Sequence, residues 1–373
     1  MRPAILTING GSSSVKFALF AVGSPLVRIM TGKFDRIGSV EAELSATTPD
    51  GGTPRRRRMP LPNHAACIPP LVQLVAEARV AVRAVGHRVV HGGPRLHAPQ
   101  RVTPALIEAC GREYRDVLQI ACFDTAFHAR LPRVAQLLAI PRRYAERDVR
   151  RYGFHGISYE YLLQELERIA GAEAAHGRVL LAHLGNGASM AAVRDGHCVD
   201  TTMAFTPAAG LVMGTRSGDI DPGLVAYLAR TDGLSPDQFD HLVNAESGLL
   251  GLSETSSDVR DLLARAATDA RAAEALAVFC HAAKKWLGAL TAVLGGLDTL
   301  VFAGGIGEHA PPIRAGICAG LAEFGIELDA ARNNAYAPVI SSEASRVTVR
   351  VIPTDEERMI ARATAALLDP HSS

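Results

Sequence analysis

The chain is predicted to be an α/β protein built on a duplicated unit, and three observations carry that reading. Two apolar segments each fold back around a loop of small residues. Ile5, Leu6 and Ile8 lead through Asn9-Gly10-Gly11-Ser12-Ser13-Ser14 to Val15, Phe17 and Leu19. Val179-Leu180-Leu181-Ala182 leads through His183-Leu184-Gly185-Asn186-Gly187-Ala188-Ser189 to Met190 and Val193. Apolar flanks on an Asn, Gly and Ser turn read as strand, turn, strand. Strand-like runs then alternate with helical ones, as in α/β architecture. Finally, 373 residues are too many for one compact core and suit two domains or one large α/β unit.

Further strand-like runs lie at Ala84–Val90 and around Ile120–Phe123. Helical patterns run from Ser158 to Ile169 and from Asp269 to Leu294. In the second, Leu276, Phe279, Cys280, Ala283, Trp286, Leu287 and Leu290 recur at intervals of three and four, as on one helix face. Leu297 to Ala303 is short, rich in strand formers, and runs into Gly304-Gly305-Ile306-Gly307-Glu308. Glu356 to Leu368 reads as an Ala-rich closing helix, followed by frayed residues. Arg55-Arg56-Arg57-Arg58, after Gly51-Gly52-Thr53-Pro54, reads as a solvated turn between edge strands.

Composition works by exclusion. A content of 48% hydrophobic and 21% charged residues is that of an ordinary globular protein. The 39 basic residues nearly cancel the 38 acidic ones, so neither a nucleic-acid surface nor polybasic membrane attachment is expected. Any anionic ligand must be held by a local cluster of charge. Cys67, Cys110, Cys122, Cys198, Cys280 and Cys318 form no C-x-x-C pair, which argues against a disulfide framework or a zinc knuckle. The apolar stretch at the N-terminus is too short for a signal sequence, and no run approaches the roughly 18 apolar residues of a membrane span. A cytoplasmic location is expected.

The loop Asn9 to Lys16 combines glycines, hydroxyls and a lysine. Glycines let backbone N–H groups approach phosphate oxygens, hydroxyls donate to them, and lysine adds a point charge. The Walker A spacing is absent, and a Gly/Ser turn by itself is most often only a turn. Other islands share its character. Gly86-His87-Arg88-Val89-Val90-His91-Gly92-Gly93 sets an arginine among apolar residues, and Phe123-Asp124-Thr125-Ala126-Phe127-His128 ends an apolar run in a carboxylate. Tyr152-Gly153-Phe154-His155-Gly156 presents a histidine between glycines. Gly214-Thr215-Arg216-Ser217-Gly218-Asp219-Ile220-Asp221-Pro222 holds an arginine in a glycine-bracketed loop, and Ile352-Pro353-Thr354-Asp355-Glu356-Glu357 puts acids ahead of the last helix. Each has a structural reading: Arg88 could pair with a buried acid, Asp124 could cap a helix, and Glu356 or Glu357 could serve a helix dipole.

Taken together and in order, these islands resemble the acetate kinase family from Leu6 to Ala361. The resemblance implies the acetate and sugar kinase/Hsp70/actin fold: two ribonuclease-H-like domains, residues 1–125 with 356–373 and residues 126–355, clamping ATP in an interdomain cleft. It implies an ATP-dependent phosphotransferase that makes acetyl phosphate and ADP from acetate, reversibly and by direct in-line displacement, and that works as a homodimer. Asn9 and Glu356 would lie near Mg²⁺, or Mn²⁺ in its place, and Lys16, Ser12 and Ser14 near the nucleotide phosphates. Arg88 would hold the carboxylate, with Val90, Phe154 and Pro207 walling its acyl group. Asp124 matches the active-site acid, and His155 and Arg216 the transition-state stabilisers. His183, Leu184, Gly185, Asn186 and Gly187 would form a phosphate loop. Asp258, Val259 and Arg260 with Gly305, Ile306, Gly307, Glu308 and His309 would line the adenosine pocket.

The chemistry suits this cast. A carboxylic acid is already ionised at neutral pH, so the enzyme needs no strong general base. Its task is to bring an anion up to a polyanion, through charge neutralisation and in-line positioning. Asp124 then fits better as an orienting group, for a metal-bound water or an arginine, than as a base. The sequence departs from the family in one place that matters. The stretch between Arg88 and Asp124 is short and lacks the Leu-His-Asn-Pro segment that helps enclose the acyl group, so a wider acyl pocket is expected. His309 and Val259 are smaller departures that touch nucleotide preference. The rival readings are a propionate or butyrate kinase of the same family and a non-catalytic nucleotide-binding paralogue. Against the second stands the joint presence of Arg88, Asp124, His155 and Arg216.

Overall fold

The structure, a computed structural model, describes residues 1–11, 14–48, 55–94, 96–101 and 117–368. They fall into two compact units, Met1–Ala126 with Asp355–Ser373, and Phe127–Thr354.

In the first unit, the described strands β1 (Arg2–Gly10), β2 (Val15–Ala21), β3 (Val27–Asp35), β4 (Glu43–Thr47), β5 (Arg55–Arg58), β6 (Val80–Val89), β7 (Gln100–Arg101) and β8 (Leu118–Phe123) form one sheet. Its order is β5-β4-β3-β2-β1-β6-β8-β7. β1 pairs antiparallel with β2 and parallel with β6, and β6 runs parallel to β8. Alternation along the strands feeds two faces. Leu6, Phe17 and Leu19 pack with Leu71 and Val75 of the helix Ile68–Glu77. Ile5, Ala18 and Phe20 pack against Ala361 of the closing helix Glu356–Leu368. That helix lies so close to β6 that a Cβ on Gly86 would overlap Thr364 and Ile360. Glycine is needed there for contact.

In the second unit, β9 (Val179–Leu184), β10 (Ala188–Arg194), β11 (His197–Thr201), β12 (Thr299–Ala303) and β13 (Thr348–Val351) are ordered β11-β10-β9-β12-β13. β9 is antiparallel to β10 and parallel to β12, and β12 is parallel to β13. This is the pattern of β3-β2-β1-β6-β8, strand for strand, so the duplication expected from the two loops extends to all five strands of the second sheet, and β4, β5 and β7 are additions to the first. The central strands are buried on both faces and read as continuous apolar runs. Leu180, Ala182, Leu300 and Phe302 face the helix Ala270–Leu294 through Phe279, Leu287 and Leu290. Val179, Leu181, Val301 and Ala303 face Tyr159, Leu162 and Leu166 of the helix Gly156–Ala170.

The four consecutive arginines correct an expectation. They form β5, paired with β4, rather than a turn. All four are exposed, and a row of charge on an edge strand deters pairing with another chain. The expected frayed end, residues 369–373, and Gly51 to Pro54 lie outside the described residues. No helix among the described residues is long and apolar enough to cross a membrane.

Candidate active site

In the first unit, candidate residues gather at the ends of β1, β6 and β8 and at the start of the closing helix. Asn9, at the tip of β1, is buried, and its amide nitrogen donates to Glu356 Oε2 at 2.6 Å and to Glu357 Oε1 at 3.0 Å. Lys16 stands opposite Asn9 in the β1–β2 register and is exposed. Ser14 closes the turn, its carbonyl accepting from Gly11 N–H at 2.7 Å. Ser12 lies outside the described residues.

Parallel pairing of β6 with β8 sets Arg88 beside Cys122, two residues before Asp124. The Arg88 guanidinium donates to Asp124 Oδ2 through both Nε and Nη2, and to the Gly10 carbonyl at 3.0 Å. Asp124 is fully buried. Burial works against the Arg88 charge, but Asp124 and then Glu356 outweigh it and hold the guanidinium above its usual range. Asp124 is thus ion-paired with Arg88. Glu357, absent from the predicted site, is pushed upward chiefly by burial and also by Glu356, against the pull of Lys16. Its signal in the sequence was only its place beside Glu356.

In the second unit, the loop between β9 and β10 occupies the position of the Asn9 loop in the repeat. Two groups lie over its Gly187: a Cβ built there would sit 3.3 Å from His155 Nε2 and 3.5 Å from Arg216 Nη1. His155 precedes the helix Gly156–Ala170 in a left-handed conformation, φ 58°. Its ring stacks on His183, centroids 4.3 Å apart. Arg216 donates to the Pro207 carbonyl at 3.3 Å. Its loop is laced to neighbours, with Gly214 N–H donating to Asn186 O and Ser217 N–H to Val243 O, each at 2.9 Å. Leu184 is buried, and the Gly185 N–H donates to Gly187 O at 3.0 Å.

The other expected residues are placed as follows. Val90 belongs to the first unit and is 43% exposed, whereas Phe154 and Pro207 belong to the second, Phe154 within its core. Asp258 caps the helix Val259–Arg265 and binds the folded-back Arg260 side chain, and Val259 is buried. Gly305, Ile306, Gly307, Glu308 and His309 form the short helix Gly304–His309. Glu308 accepts from Gly304 N–H at 2.9 Å and Thr354 N–H at 3.1 Å, so it braces this helix against the segment after β13. The His309 side chain is exposed. Of the stretch between Arg88 and Asp124 that distinguishes this chain, residues 95 and 102–116 lie outside the described residues.

A twice-used β-sheet, carrying a glycine loop in each copy and ionic side chains at the strand ends, defines a two-domain phosphotransferase fold. A sequence profile of the Acetokinase family matches residues 4–112 and 95–362, and the chain belongs to that family. It is 42% identical to the acetate kinase of Methylocella silvestris, over 99% of each chain. Among solved structures, it matches the acetate kinase of Porphyromonas gingivalis with a TM-score of 0.85 and 34% identity, covering 98% of this chain and 100% of that one. It matches a propionate kinase of Francisella tularensis with a TM-score of 0.89 and 33% identity, covering 97% and 99%. Membership makes the protein an ATP-dependent kinase with a carboxylate acceptor.

Proposed function

We propose that the protein is an acetate kinase, which moves the γ-phosphoryl group of ATP to acetate and back. The observation that carries this reading is the convergence of His155 and Arg216 on Gly187, in a chain similar along its full length to acetate kinases. In the proposed mechanism the carboxylate attacks as it stands, already ionised. Arg88, held in one orientation by Asp124, offsets its charge. His155 and Arg216 donate to the phosphoryl oxygens as charge spreads over them, the preorganised arrangement that contributes most to such reactions. Lys16, Ser12, Ser14 and the loop His183 to Gly187 serve the nucleotide phosphates. Asp258 to Arg260 and Gly305 to His309 serve the adenosine.

The donor set at the start of the closing helix fits Mg²⁺, or Mn²⁺. Asn9 and Glu356 offer hard oxygens, and Mg²⁺ is commonly held by one or two carboxylates together with waters and substrate phosphates. That mode needs no cluster of three His, Cys, Asp or Glu side chains, and the described residues contain none. When bound, the ion neutralises phosphate oxygens.

A cytoplasmic homodimer is part of the proposal. Among described residues, the helix Gly223–Thr231 buries none of its own, and Leu224, Val225 and Tyr227 are 39%, 43% and 55% exposed. An apolar stripe of this kind suits a second copy of the chain. Light scattering on the wild type and on Tyr227→Glu would give a dimer and a monomer.

A hydroxamate assay with ATP, Mg²⁺ and short carboxylates tests the activity. Acyl phosphate must accumulate with acetate, and its absence with every short carboxylate would remove the proposal. Similarity to the Francisella propionate kinase and the short segment after Arg88 favour one second reading, a preference for propionate.

A further inference from the structure

We propose that Tyr159 and Ser189 form a hydroxyl relay that positions the His155 imidazole and keeps its proton on Nε2, the nitrogen facing Gly187. The proposal rests on the assignment of His155 to phosphoryl transfer. Ser189 Oγ lies 2.9 Å from His155 Nδ1, and the Tyr159 hydroxyl is bonded to the same serine oxygen. Tyr159 and Ser189 are fully buried, and His155 is 9% exposed. A serine hydroxyl carries a single proton. When the phenol donates into its oxygen, that proton is left for Nδ1, and a neutral imidazole then carries its own on Nε2.

Local structure explains why these residues meet. Tyr159 lies one helical turn beyond His155, its N–H donating to the His155 carbonyl at 3.0 Å, so both side chains project from one face. Ser189 pairs with His183 across β9 and β10, one residue into a strand whose neighbours are all buried. The backbone end of His155 is held as well. His128 Nε2 lies 3.0 Å from the Phe154 carbonyl, and the Tyr159 ring packs edge-on against His128, centroids 5.9 Å apart. His155 is thus clamped at its main chain and at Nδ1, and its Nε2 faces the glycine loop.

The stacked partner repeats the device. His183 Nδ1 lies 2.8 Å from Ser158 Oγ, which is 2.7 Å from the Thr354 hydroxyl. Two stacked rings, each with a serine at Nδ1 and that serine bonded to a further hydroxyl, point to selection of one tautomer. A phenol merely filling an apolar core needs some partner for its hydroxyl, but it has no reason to choose the serine that meets a working imidazole. Tyr159 and Ser189 are positioning residues: they act through His155 and touch no substrate.

The test uses Tyr159→Phe, which keeps the ring and its packing, and Ser189→Ala, both in the full-length protein. Each is expected to lower kcat about tenfold, the scale of one lost hydrogen bond, with KM for ATP unchanged. In ¹⁵N spectra of histidine-labelled protein, His155 (assigned by its loss in His155→Ala) should show Nε2–H in the wild type and a tautomer mixture in both variants. An unchanged His155 spectrum in both variants overturns the relay. So does a lowered melting temperature with kcat intact, which marks packing alone. Full turnover in His155→Ala removes the catalytic assignment instead, and the spectra still decide the relay.

Discussion

The Asn9 amide nitrogen donates to the Glu356 carboxylate at 2.6 Å, joining residues 347 apart in sequence. Glu357 accepts from the same nitrogen, so one neutral side chain holds two adjacent acids that would otherwise repel. Asn9→Ala should loosen both. The Mg²⁺ concentration for half-maximal rate is expected to rise about tenfold or more, and stability to fall by roughly 1–3 kcal/mol, the range for a buried group left unsatisfied. Titrating Mg²⁺ against initial rate, with melts alongside, checks both. An unchanged Mg²⁺ requirement would detach this cluster from the ion.

Arg88 and Arg216 should both be essential, but their removal should differ in the fold. Arg88→Ala leaves the fully buried Asp124 without the guanidinium that neutralises it, a loss of roughly 3–5 kcal/mol. Arg216 donates to a carbonyl, so Arg216→Ala should melt near the wild type while turnover falls by orders of magnitude. Adding Asp124→Asn to Arg88→Ala should restore melting and not activity. Calorimetry on the four proteins decides. Equal melting of the two alanine variants would mean that Asp124 is satisfied without Arg88.

Acid should weaken the second unit through His128. Burial is the main cause that lowers its pKa from 6.5 to about 4. The unfolded chain therefore takes up a proton below pH 6.5 that the native ring refuses until about pH 4. The stabilisation present above that window is lost as pH falls through it, by about 3 kcal/mol in all. Melting curves across this range should show the loss, and His128→Gln should flatten it. An equally steep acid limb in that variant would assign the effect to other groups.

The short segment after Arg88 bears on the acyl chain. Removing an apolar wall forfeits about 25 cal/mol per Å² of contact, which weakens capture of a methyl group more than capture of the charge. Acetate should show a high KM, with propionate and butyrate competing well. Comparing kcat/KM over the three acids checks this. A low KM and strong preference for acetate would show the pocket to be closed by other means.

Elements carried by local pattern were legible. The closing helix was read as Glu356 to Leu368 and spans those residues, because a Pro and two acids mark its start. Both loops were found because apolar strands flank them. Where a side chain's meaning depends on a distant partner, pattern was silent. Ser189 read as the end of a loop of small residues, yet it is the second residue of β10 with its hydroxyl turned to His155. Val259 carried no sign of its burial, yet it packs in the core of the second unit. The four arginines looked like a turn because strand propensity counts for less there than pairing with β4, which no local rule could supply.

The first unit is discontinuous in sequence, whereas Phe127–Thr354 is one unbroken stretch. During synthesis the later-made unit can finish first. The earlier one must wait with Ile5, Ala18 and Phe20 uncovered until the helix carrying Ala361 emerges. The same helix brings Glu356 to Asn9. A chain cut short before Asp355 would therefore lack both a hydrophobic cover and a proposed metal ligand. Such a fragment would be inactive and sticky together, and so open to removal by the cell's quality control.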